Sequence, residues 1–377
     1  MDFSLDDEHL ALREAVQRFC DGEYPAEHRG APETPEDQRR RWSGMAELGL
    51  LGLSIPGAFG GSGQGPVETM LVAQELGRAL GGGAFVASTV VAGTLLAQLG
   101  SDAQQQQWLP ALATGEMQAA LALDEPGTRY DWDRAQLRAS RDGDDWVLDG
   151  SKAGVPHGDT AQLLLVLARV EGAADGDAGL AVFAVDAATA GVQVRGHGTL
   201  DGRRAAQVRF EQVRVPATRL LGAVGGVRDA LEAALDAGTA ALCAEAAGAV
   251  EALIVHTTEH LRTRRQFGAP LAKFQVLQHR LADLVIALEQ LKSMACIAAM
   301  SVQQGEPASR RRGVSAAKVL ASQLGRQVGL AAIQLHGAMG MTDECRVAHY
   351  AKRLLVIGQL HGDAAWHLRR VATANAR

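Results

Sequence analysis

Apolar positions recur every three or four residues at both ends of the chain and alternate in short runs in the middle. Over residues 1–118 the period is helical. Ser4 followed by Asp7 resembles a capping box, and Leu10, Ala11, Ala15 and Phe19 follow at helical spacing. Pro35 opens a second predicted helix with Trp42, Met45 and Leu48 on one side, closing at Gly49 and Gly52. Five glycines between Gly57 and Gly65 demand a loop. Helices are then expected over 67–80, 86–99 and 102–114.

Between 119 and 222 the period shortens. Ala119–Leu123, Trp146–Leu148, Leu163–Ala168, Leu180–Val185, Val192–Val194 and Ala206–Phe210 are short apolar or alternating runs, separated by Gly/Asp clusters. That spacing predicts a small β barrel or sandwich. From 223 to 377 the helical period returns. Phe274, Leu277, Leu281, Leu284, Leu288, Leu291, Ala295, Ala298 and Val302 form a sustained stripe, and 227–262 supplies an Ala-rich partner of similar length. Gln303 to Arg312 is expected as the turn into a third helix ending at Gly337–Gly340. A fourth helix is expected from about His349 to the end.

Composition narrows the classes. At ~150 residues per domain, 377 residues make two to three domains, and 47% hydrophobic against 21% charged residues is enough for several cores. A net charge of −6 argues against a nucleic-acid surface. Four scattered cysteines without CxxC spacing read as reduced core residues of a cytoplasmic protein. The most apolar window, Phe85–Leu99, is shorter than the ~20 apolar residues of a membrane span.

Several chemistries lack their motif. No G-x-G-x-x-G follows a strand, and there is no Walker loop and no G-x-S-x-G elbow. His256 and His260 lie four apart without a third ligand, so they read as packed and exposed histidines, not a metal site. The informative stretch is Thr263-Arg264-Arg265-Gln266-Phe267-Gly268, followed by Phe274-Gln275. Its arginines can grip a pyrophosphate, or they can be cations capping the carbonyl end of a helix hairpin. Spacing alone leaves both open.

Arg264-x-x-Phe267-Gly268 with Phe274-Gln275, together with Gln334-Leu335-His336-Gly337-Ala338-Met339-Gly340, resembles the C-terminal signatures of the acyl-CoA dehydrogenase family. Glu125-Pro126 with Arg129-Tyr130-Asp131, and His349-Tyr350-x-Lys352-Arg353-Leu354, resemble in particular the small subunits of the pimeloyl-CoA dehydrogenase group. The resemblance implies that family's fold: an N-terminal all-α domain, a middle β-barrel or sandwich domain, and a C-terminal four-helix bundle. It implies FAD between the β unit and the bundle, an acyl-CoA substrate undergoing α,β-dehydrogenation, and an electron-transfer flavoprotein as acceptor. Asp124 then falls on the flavin strand. Arg264 and Phe267 would reach the flavin nucleotide of a neighbouring subunit, Gln275 its adenosine side, and Gln334, Leu335 and Gly337 its pyrophosphate.

The sequence departs from the family pattern in three places. Asp124 stands for a threonine, Arg129-Tyr130 for Gly-Ser, and Gly154-Val155-Pro156 for Trp-Ile-Thr. The family's base positions fall on His361 and Gly238, neither a carboxylate, which leaves His361 or Asp236 as candidate bases. Three functions follow: a base-deficient subunit of a heteromer with a paralogous chain, an active homo-oligomer with an unusual base, or a flavin-free acyl-CoA-binding scaffold.

Overall fold

The computed structural model describes residues 5–25, 33–173 and 176–374. Ser4 lies outside them, and the cap of helix α1 (Asp7–Glu23) is Asp6, whose carboxylate accepts the His9 N–H. Thr34 and Asp37 form a capping box at α2 (Pro35–Glu47), which buries Trp42 and Met45 but leaves Leu48 exposed just past its end. α3 (Pro66–Arg78) follows. The next segment is a π-helix, Phe85–Ala92, running into α4 (Gly93–Leu99), and α5 (Asp102–Ala113) closes the helical part.

The strands are β1 (Ala119–Ala122), β2 (Arg138–Asp142), β3 (Asp145–Pro156), β4 (Leu163–Val170), β5 (Leu180–Asp186), β6 (Val192–Gly198), β7 (Arg204–Val215) and β8 (Leu220–Leu221). They form one sheet in the order β6-β7-β3-β2-β4-β5-β8, with β1 parallel to β4. β4 reads as an unbroken apolar run because both its faces are covered. Leu163, Leu165 and Leu167 face the helices, packing with Leu95, Trp108 and Leu231, while Leu164, Val166 and Ala168 join Trp146 and Phe210 inside the β unit.

The bundle is α6 (Arg228–Thr263), α7 (Gln275–Gln304), α8 (Pro307–His336), α9 (Arg346–Ile357) and α10 (Ala364–Ala374). α6 is its spine. Gly77 on α3 and Gly248 on α6 let those helices touch backbone to backbone; a methyl on Gly248 would stand 1.8 Å from the Gln74 carbonyl oxygen. Two expectations need correction. Glu306 caps α8 through the Ala308 and Ser309 N–H groups, so the helix starts at Pro307 and Arg310 lies on it, not in a turn. The last helix is two, because His361 and Gly362 take φ of 56° and 119° and break it. α6 and α7 are long and apolar enough to cross a membrane, but nine-tenths (89%) of α6's apolar window is buried inside the fold.

Candidate active site

The break between α9 and α10 faces the edge of the β unit. Val91, Leu121, Asp124, Pro156, Leu235 and His361 are among the residues lining a cavity of about 80 Å³ there. His361 lies directly on α6. A methyl built on Gly238 would come within 2.8 Å of His361 Cε1 and 2.4 Å of Val91 Cγ2, so glycine at 238 is what admits the imidazole. Thr239 Oγ1, which donates to the Leu235 carbonyl, stands 3.5 Å from His361 Nδ1. The two sequence positions considered for a base therefore share one volume, and an imidazole fills it.

That imidazole is a poor proton acceptor. Burial, then the charges of Lys318 and Arg353, push its pKa down to about 3. General-base efficiency falls as the pKa drops away from the working pH. Asp236 fails for a different reason. Arg310 Nε donates to its Oδ2 at 3.0 Å and Arg370 NH1 to its Oδ1 at 2.5 Å, so both oxygens are engaged. It is a buried anchor between α6, α8 and α10, not a base.

Behind the break lies a polar layer that the sequence did not signal. Lys318, fully buried on α8, donates to the Gly362 carbonyl at 2.8 Å, and burial lowers its pKa to about 8. His367 pairs with Ser315 at 3.1 Å, and burial lowers its pKa to about 2. His157, at the end of β3, is lowered to about 3 by burial and by Arg203 and Arg353. Each imidazole is neutral in the fold, whereas an unfolded one titrates near 6.5. Below that value the unfolded chain takes up protons that the folded chain refuses. Stability should therefore fall as pH drops from about 6.5 towards 3, and His367→Gln should flatten the slope. Urea unfolding midpoints between neutral pH and about pH 5 test this; a flat wild-type profile would exclude it.

Asp124 lines the cavity's β side at its solvent-facing rim. Burial raises its pKa, partly offset by Lys152. Beneath it, Lys152 Nζ donates to Glu125 Oε1 at 2.6 Å and to the Leu123 carbonyl at 3.0 Å, and Glu125 also accepts from the Gln136 and Leu137 N–H groups. Tyr130 crosses from this loop to the bundle. Its hydroxyl donates to Gln359 Oε1 at 3.4 Å, and its ring meets Trp366 edge-on at 6.4 Å.

A flavin ring does not fit this arrangement. The cavity, about 80 Å³, is far below the roughly 300–1,000 Å³ of a cofactor pocket. Pro156 offers no N–H and Gly154 no side-chain wall on the strand that the resemblance assigns to the ring.

The other predicted residues gather elsewhere. Arg264 ends α6, and Arg265-Gln266 pairs with Ala269-Pro270 as a hairpin, strands β9 (Arg265–Gln266) and β10 (Ala269–Pro270). Phe267 sits at its tip with φ of 51° and is 90% exposed. Gln275 starts α7 and is exposed. α8 ends at the same pole, as the stacking of His260 on His336 at 4.3 Å shows. There Gln334 is exposed and Gly337 turns the chain with φ of 66°. Leu335 instead directs its side chain into the bundle core. Arg264 lies about 39 Å along α6 from Gly238 at ~1.5 Å per residue. One chain therefore does not bring its hairpin and its crevice together. Among the described residues, no group of three His, Cys, Asp or Glu side chains is placed to hold a metal ion.

Three family models match in sequence: acyl-CoA dehydrogenase N-terminal domain over residues 6–116, middle domain over 120–213 and C-terminal domain over 225–375. Acyl-CoA dehydrogenase FadE12 of Mycobacterium tuberculosis is 30% identical over 92% of this chain and 90% of its own. In structure, butyryl-CoA dehydrogenase from Megasphaera elsdenii superposes with a TM-score of 0.91 at 25% identity, covering 100% of both chains. The ChsE4–ChsE5 complex of Mycobacterium tuberculosis gives 0.85 at 26% identity, over 100% of this chain and 99% of the matched one.

Proposed function

The chain belongs to the acyl-CoA dehydrogenase family, flavoprotein oxidoreductases acting on acyl-CoA, and from that premise we propose that it is a base-deficient subunit of a heteromeric dehydrogenase. The observation that carries this is the interlock of His361 with Gly238. Both places where a base is expected form one filled volume, and burial keeps the imidazole in it from holding a proton. Removal of an α proton needs a base within hydrogen-bond reach, and that base is then the partner's.

Further support comes from the pole of the bundle. Arg264 and Phe267 are exposed on their hairpin, Phe267 edge-on to Phe274, and too far from this chain's own crevice to serve it. They suit the flavin nucleotide of an adjacent, paralogous subunit, in line with the pimeloyl-CoA small-subunit likeness of the sequence. One solved neighbour is itself a complex of two differently named chains. α7 also turns Val276, Val285, Ile286 and Ile297 outward, exposed apolar side chains of the kind oligomers bury. We place the assembly in the cytoplasm, with an acyl-CoA substrate, FAD as its cofactor and an electron-transfer flavoprotein as acceptor.

The test is turnover. The purified chain, given a panel of saturated acyl-CoAs and an artificial electron acceptor, should form enoyl thioester at least ~100-fold more slowly than a base-bearing dehydrogenase. Rapid turnover abolished by His361→Ala would install His361 as the base. Turnover surviving that change would mean another base serves this chain. Either result ends the subunit reading.

A further inference from the structure

Building on the subunit reading, we infer that Tyr130 bolts this chain's own crevice shut, so that the flavin ring of the assembly is held by the partner chain alone. Arg129 and Tyr130 are successive non-glycine residues with φ of 43° and 68°. Such left-handed residues are uncommon and persist where surrounding contacts over-determine them. Their turn carries the phenol from the β unit across to the bundle, onto Gln359 and Trp366.

The receiving side is anchored. Trp366 packs edge-on against His367 at 4.7 Å and beneath the Arg370 guanidinium at 5.3 Å, and Arg370 is clamped to Asp236. The bolt thus ends in the same buried ion cluster that joins α6, α8 and α10. What remains of the crevice is about 80 Å³, whereas pockets for cofactors run to roughly 300–1,000 Å³.

The chemistry of the rim agrees with the geometry. A flavin ring presents carbonyl oxygens and ring nitrogens that need donors. Asp124 offers acceptor oxygens when ionised, Pro156 has no N–H, and the Gln359 amide, whose NH2 could donate, is tied by its oxygen to the Tyr130 hydroxyl. A ring entering here would have to displace the phenol, and only that displacement frees the Gln359 amide to meet it.

The experiment uses the full chain and free FAD. After incubation with excess FAD and desalting, the wild type should retain well under one flavin per chain by visible absorption. The double variant Arg129→Gly/Tyr130→Ser removes the left-handed strain at 129 and the ring at 130, and should raise retention by about tenfold or more. Trp366→Ala removes the other half of the bolt and should act in the same direction; it decides the matter if the double variant fails to fold by near-UV circular dichroism. One FAD per wild-type chain, or a folded variant that retains no more than wild type, overturns the inference. A wild-type flavin that acyl-CoA does not reduce would remove the bolt and leave the subunit reading intact. One that acyl-CoA reduces rapidly would remove both.

Discussion

Glu245→Gln should cost the fold about 3–5 kcal/mol, the range for breaking a buried ion pair from one side. Arg353 forks onto the carboxylate with Nε to Oε1 at 2.7 Å and NH2 to Oε2 at 2.8 Å, and Arg203 donates to Oε1 at 2.6 Å. Asp201 takes the remaining Arg353 nitrogen at 2.7 Å. Burial works to raise the Glu245 pKa, but the Arg203 and Arg353 charges win and hold it below the usual range. The amide would leave two buried guanidiniums facing one acid, across the junction of α6, α9 and the β6–β7 loop. Arg228→Ala is the contrast. Its short contacts, Asp133 and Asp177, are exposed, and such pairs contribute about 0–1 kcal/mol, while its more distant buried partner Glu232, at 3.7 Å, keeps Arg311. Urea unfolding of both variants tests the ranking, and equal losses would refute it.

The periodicities carry the architecture because they are local. The Phe274–Val302 stripe buries Leu284, Leu288, Leu291, Ala295 and Ala298 as its spacing requires. The break at 358–363 follows an apolar run, Leu354–Ile357, and although Gly358 and Gly362 punctuate the segment, it is the backbone at His361 and Gly362 that makes the turn. β2 carries no apolar signal of its own, because Arg138-Ala-Ser-Arg-Asp buries a single side chain, Ala139.

The site was legible in its residue types and not in its contacts. That His361 would lie on Gly238, 123 positions earlier in the chain, is a property of tertiary packing, as is the reach of Tyr130 to Trp366. Asp236 looked available because nothing local announces Arg310 and Arg370. Lys152 was readable in principle. It shares the inward phase of Trp146 and Leu148 on β3, three and two alternations back, and an in-phase lysine marks a buried cation that needs a partner.

That lysine carries the second large effect. Lys152→Met should cost about 3–5 kcal/mol, because the methionine fills the space but leaves Glu125 buried without its cation. Lys152 is 1% exposed and Glu125 7%. The carboxylate keeps only the Gln136 and Leu137 N–H groups, at 2.6 and 3.0 Å. An isolated buried anion then protonates, so the variant's loss should shrink as pH falls, opposite in sign to the histidine effect described above. Replacing both partners, Lys152→Met with Glu125→Gln, should recover most of the loss, since removing a whole buried pair is often close to neutral. The double-mutant cycle isolates the pair from the packing of each side chain. The segment 124–131 hangs from this pair by Glu125 and carries Asp124 to the crevice and Tyr130 across to Gln359 and Trp366, so Lys152→Met should also release the phenol from Trp366. Trp366→Phe in both backgrounds identifies its share of the fluorescence, which should become more accessible to an aqueous quencher only in the single Lys152 variant. A cycle with additive losses and an unchanged Trp366 signal would show that the ion pair supports neither the fold nor the bolt above it.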